Sequence, residues 1–115
     1  MKKLLLLIAV SSLVSIISCS KDNGDTMENN DVCDSIDITY DTGIKAIIDG
    51  NCALPSCHGG NASLPNFTTY DNIFSLRSLI QSRVVSKAMP PAGSTPLSAD
   101  NIQNINCWIT NGAPK

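Results

Sequence analysis

Two cysteines and the only histidine of the sequence fall within Asn51–Gly60, NCALPSCHGG. Cys57 and His58 are adjacent, and Cys52 stands five positions before Cys57. Two thiols beside one imidazole make an attachment site. The sulfurs can form thioethers with two vinyl groups on one edge of a macrocycle, while the imidazole reaches a metal at its centre from the same side. That chemistry is covalent haem, haem c, here with a C-x4-C-H spacing longer than the common C-x-x-C-H. Two extra residues must bulge out between the thiols, and Pro55 interrupts helical geometry there. The same residues admit a plainer reading, a Cys52–Cys57 disulfide closing a small loop with His58 idle.

A haem iron has a second face. Because His58 is the only histidine, ligation by two histidines of one chain is excluded. Beyond the N-terminal apolar run the methionines are Met27, in a polar stretch, and Met89, in AMPPAG. The two prolines after Met89 fix φ and remove two donors, which predicts a stiff, extended loop. A thioether on a stiff loop suits a distal ligand, since a floppy loop would lose entropy on binding. The competing role for Met89 is to fill a gap in the core. With His58 proximal and Met89 distal, the iron has no open position. The expected function is then outer-sphere electron transfer rather than catalysis by this chain alone.

The pattern around these residues predicts helices. Asp41 or Thr42 can cap a short helix with Ile44, Ile47 and Ile48 on one face, and Gly50 stops it just before Cys52. Thr68 or Thr69 can cap a second helix carrying Tyr70, Ile73, Phe74, Leu76, Leu79, Ile80 and Val84, an apolar set broader than one stripe. Ser98 caps a third, with Ile102, Ile105 and Ile109 on one face and Trp108 beside them, ended by Gly112 and Pro114. No strand, repeat or internal transmembrane segment is evident, so the expected fold is all-α, three to four short helices around the haem.

The chain has 115 residues, and they do not all belong to that domain. Lys2 and Lys3, the apolar run Leu4–Ile17 and then Ser18-Cys19 predict a signal over residues 1–18 with lipidation at Cys19, in the manner of a bacterial lipoprotein. Residues 19–31 read as a polar tether and 32–115 as the folded domain. Ser20 after the cysteine points to the outer membrane of a Gram-negative cell envelope. Removal of Lys2 and Lys3 takes the formal charge from −2 to −4, which argues against nucleic acid as a partner and is compatible with a basic redox partner.

Of 5 cysteines, lipidation of Cys19 leaves Cys33, Cys52, Cys57 and Cys107. Four exported cysteines allow three disulfide pairings, and one haem plus a Cys33–Cys107 bridge also uses them all. A domain this small has a thin core, and aromatics are scarce. Either a haem or two disulfides would supply what is missing.

NCALPSCHGG, LPNFTTYDNI, SRVVSKAMPPAG and PLSADNIQNINCWITNGAP, in that order, resemble the small c-type cytochrome domains of bacterial lipoproteins, including the planctomycete-type group. The resemblance runs from about Ile38 to Pro114. It implies a class I cytochrome c-like helical fold, thioethers at Cys52 and Cys57, His58 and Met89 as axial ligands, and a role as electron carrier.

The leading rival is a haem-free binding or structural module stapled by Cys52–Cys57 and Cys33–Cys107. A third class is a copper(I) or zinc carrier using Cys52, Cys57, His58 and Met89, although the blue-copper pattern wants two histidines. Hydrolase chemistry lacks a converging base. Disulfide oxidoreductase chemistry lacks C-x-x-C at a helix start.

Overall fold

Thr39 and Thr42 start the first helical segment. Thr39 N donates to Thr42 Oγ1 (2.9 Å) and Thr42 N to Thr39 Oγ1 (3.2 Å), a reciprocal cap that satisfies two donors at once. The cap is therefore Thr39, not Asp41 or Thr42, because only a residue with extended backbone before the first turn can fold its hydroxyl back over it. In the computed structural model, which describes residues 32–61 and 63–115, a single π-helical turn, Tyr40–Ile44, runs straight into α1 (Lys45–Asn51). Gly50 lies inside α1 rather than ending it; the helix stops at Cys52, whose φ and ψ are −123° and −49°.

The second predicted helix is two. Thr69 caps α2 (Tyr70–Ser75) by accepting from Asn72 N. At Leu76 the backbone leaves helical geometry (φ −106°, ψ 6°), and α3 (Arg77–Val85) starts on a new axis. The break gives the broad apolar set two directions to face. Ile73, Ile80 and Val84 enter the core, while Leu79 stays half exposed. Ser98 caps α4 (Ala99–Thr110) through Asn101 N, as its position before the apolar pattern predicts. Helix α4 ends at Asn111, followed by Gly112 at φ +91°, a conformation that favours glycine. The described residues are helical and contain no strand.

The longest described helix, α4, is also the core's spine. It packs on α3 and on the π-helical turn. Trp108 and Ile105 are fully buried, together with Ile44, Ile48 and Ile73. Tyr40 packs on both Tyr70 and Trp108, with ring centroids 5.2 Å and 6.4 Å apart. The C-terminal residues lie across this cluster and close it. Pro114 O accepts from Trp108 Nε1 (2.8 Å) and Tyr40 N (2.9 Å), and Ala113 O accepts from Tyr70 Oη (2.8 Å).

Cys33 and Cys107 form a disulfide with Cα atoms 4.8 Å apart, inside the usual bridging range. It ties the start of the described chain to the middle of α4, and Asn111 Nδ2 adds a bond to Cys33 O at 3.0 Å. The predicted signal over residues 1–18, the lipidation of Cys19 and the tether over 19–31 lie outside the described residues. Among the described residues, no helix is long and apolar enough to cross a membrane.

Candidate functional site

The end of α1 leads into a tight knot of backbone hydrogen bonds. Cys52 N and Ala53 N both donate to Ile48 O (2.8 and 2.9 Å). The chain then turns back on itself. Cys57 N and Gly59 N both donate to Leu54 O (2.9 Å each), and His58 N donates to Cys52 O (3.0 Å). The two residues that C-x4-C-H adds are thus taken up by a loop closed on Leu54 O. Gly59 makes the closure possible: a Cβ there would lie 2.7 Å from Leu54 O, a backbone atom that cannot move aside cheaply.

His58 is fixed from three sides. Its carbonyl accepts from Phe67 N (2.8 Å), and its ring stacks on the Phe67 ring with centroids 4.1 Å apart and planes 16° from parallel. Nδ1 lies 2.7 Å from Pro65 O. A carbonyl oxygen can only accept, so Nδ1 carries a proton and donates, which in the neutral ring leaves the lone pair on Nε2. Metal-ligating histidines commonly show this arrangement, in which the outer hydrogen bond sets the tautomer and orientation of the ring.

Cys52 and Cys57 are both free thiols and both partly buried. Burial pushes the Cys52 thiol up from its ordinary value near 9 to about 11, and the neighbouring Cys57 adds to the rise. Cys52 therefore stays protonated at neutral pH. In the ligand-free chain the consequence for stability has a definite sign. Between about pH 9 and 11 the unfolded chain gives up this proton while the folded chain keeps it, so stability falls as pH rises through that window.

Cys52, Cys57 and His58 line one side of a cavity of about 580 Å³, and Met89 lines it from the loop after α3. The rest of the wall is largely apolar, with Leu54, Leu64, Phe67, Leu76, Leu79 and Ile80. A cavity of this size and character is typical of a small-molecule or cofactor site. Met89 N donates to Arg83 O (3.1 Å), which anchors its loop to α3. That loop is not extended as the double proline predicts. Ser94 N donates to Pro91 O (3.0 Å) across Ala92–Gly93, with Gly93 at φ +93°, so the segment closes a turn against the cavity. A second cavity, about 570 Å³, lies beside the disulfide, and Met89 and Pro90 line both.

Cys52, Cys57, His58 and Met89, singled out in the sequence, border one cavity, whereas the wall around them was not foreseen. Leu54, Leu64, Leu79 and Met89 are 39–50% exposed, and all four border this cavity. Such a concentration of exposed apolar side chains around one opening marks a surface that accepts something. The one available signal was the breadth of the apolar set on α2 and α3, too wide for a helix that packs on a single side. The roles of Pro65, Phe67 and Arg83 had no local signature.

No protein-family model, no curated protein and no solved structure matches this chain. Among the described residues, no group of three or more His, Cys, Asp or Glu side chains is gathered so as to hold a metal ion. The resemblance to small c-type cytochrome domains is therefore corrected, while of the fold expected with it the helical class without strands stands among the described residues. Short motifs in a plausible order gave the likeness, and neither a matching family nor a preassembled metal cluster stands behind it. The copper or zinc carrier finds no support there either, since Cys52, Cys57 and His58 do not form such a group.

Proposed function

We propose that the chain carries one covalently attached haem, with Cys52 and Cys57 as thioether donors and His58 and Met89 as axial ligands, and that it transfers electrons. The observation that supports this reading is that all four side chains line one largely apolar cavity. The donor set fits the group. A porphyrin does not ask both sulfurs to reach the metal; they attach to the ring, and the iron needs one donor on each face. His58 is held through Nδ1 on Pro65 O, which leaves Nε2 as the ring nitrogen free to ligate, and Met89 offers a thioether from a separate loop.

When bound, the haem supplies a reversible one-electron couple. The chain's own residues do the rest. Leu54, Leu64, Phe67 and Leu79 exclude water from the cavity, which disfavours the extra charge of ferric iron and so raises the potential. Pro65 O holds the His58 ring in place. Cys52 and Cys57 would hold the group covalently through their sulfurs. On this reading the partners are redox proteins, and lipid on Cys19 holds the chain at the cell envelope, in the outer membrane of a Gram-negative bacterium.

The test is a pyridine haemochrome spectrum with intact mass on mature protein made with a haem-maturation system. Colour that survives denaturation and organic extraction is expected, with one haem's mass added. Met89→Ala is expected to keep the haem and lower its potential; an unchanged potential would assign the distal face to another group. The alternative, a haem-free stapled module, draws on the Cys33–Cys107 bridge, which braces the domain without any cofactor. It predicts colourless protein with the remaining pair, Cys52 and Cys57, joined.

A further inference from the structure

We infer that Arg83 holds an anionic group of whatever occupies the cavity, so that the ligand has an apolar body and a carboxylate or similar anion at the end near the C-terminus of α3; the inference rests on the haem reading for the ligand's identity, where the anion is a porphyrin propionate. Among the described residues lining the cavity, Arg83 is the single Lys or Arg, and no Asp or Glu lies beside it. The one ion pair among the described residues is elsewhere, between Lys45 and Asp49.

The other arginine of α3 is already engaged. Arg77 lies over the Phe74 ring, 4.0 Å from its centroid, and its Nη1 donates to Phe74 O at 2.7 Å. The Arg83 side chain makes no hydrogen bond to any described residue, while its backbone carbonyl accepts from Met89 N and Ser86 Oγ. A guanidinium offers a planar fork of donors that matches a carboxylate in two parallel bonds. At the edge of an apolar wall such a pair is less screened than on open surface. Placement strengthens the point, because the hydrogen bond from Met89 N sets Arg83 beside the loop that carries Met89. A ligand clamped there would have its anion fixed at the Met89 side of the opening. A cation in the last turn of α3 also complements the helix dipole. That role would respond equally to any ligand, and the test separates the two.

Wild type, Arg83→Gln and Arg83→Lys are made with a haem-maturation system, and the midpoint potential of each is followed across the neutral pH range. Arg83→Gln is expected to lower the potential and make it pH-dependent, because a carboxylate near the iron loses its cation and begins to titrate. Arg83→Lys is expected to restore most of both. A curve for Arg83→Gln that overlays wild type overturns the inference. Wild type that carries no haem overturns the haem reading alone. In that case the same three proteins are titrated with 8-anilinonaphthalene-1-sulfonate and its neutral counterpart N-phenyl-1-naphthylamine. Arg83→Gln is then expected to weaken the sulfonate about tenfold, the scale of one charge-assisted hydrogen bond, and to leave the neutral dye unchanged. Equal effects on both dyes, or none on either, overturn it.

Discussion

Replacing Cys33 and Cys107 together by alanine should lower the free energy of unfolding by about 4 kcal/mol, a large part of what a domain of this size has. The two residues are 74 positions apart, so the bridge closes most of the described chain into one loop and restricts the unfolded state accordingly. Both cysteines are almost fully buried, and alanine leaves no unpaired polar group in their place. The measurement is urea unfolding of wild type and variant in the same ligation state, with the wild type under reductant as a control that should match the variant. A loss below about 1 kcal/mol would mean that the Asn111–Cys33 bond and the local packing hold the N-terminal end unaided.

The Cys52→Ser/Cys57→Ser protein, made with the same haem-maturation system, should lose covalent haem completely. Single variants should keep it through the one remaining thioether. Both thiols line the same cavity and are free in the structure. Cys52 is the less reactive of ordinary cysteines, since burial keeps it protonated to about pH 11 and only the thiolate attacks alkylating agents readily. Intact mass after denaturation checks the prediction. Colour retained in the double variant would show that these sulfurs are not the attachment points.

The legible part of the fold is the part written in side-chain periodicity and caps. Ser98 before an Ile102–Ile105–Ile109 stripe gives α4 nearly to the residue, because cap and stripe agree. Gly112 marks its end for an equally local reason. The errors occur where tertiary contacts outvote local preference. Gly50 has the composition of a stop signal, yet α1 continues through it because Ile48 O is free to accept from Cys52 and Ala53 one turn later. The stretch Tyr70–Val84 reads as one helix, but core and cavity lie in different directions, and the break at Leu76 serves both. Met89-Pro90-Pro91 reads as extended, yet a hydrogen bond across Ala92–Gly93 turns it.

The site was legible in its reactive residues and not in its surroundings. Cys52, Cys57 and His58 stand out because their types are rare in this chain and their spacing is short. That Met89 borders the same cavity depends on how the loop after α3 folds back, which no spacing encodes. The bond from His58 Nδ1 to Pro65 O, the stack on Phe67 and the exposed leucines at the opening are likewise products of the fold. The family likeness failed for the complementary reason. It was built from short segments in sequence order, and order alone carries neither descent nor three-dimensional placement.

The most direct measurement is the intact mass of the mature protein, paired with its pyridine haemochrome spectrum. If Cys52 and Cys57 hold a porphyrin, the denatured chain should carry the mass of one haem and show the spectrum of a haem joined by two thioethers. A colourless chain whose mass is two hydrogens below that of the form with these two thiols free would place a Cys52–Cys57 bond where the haem should be, and would contradict the electron-carrier account.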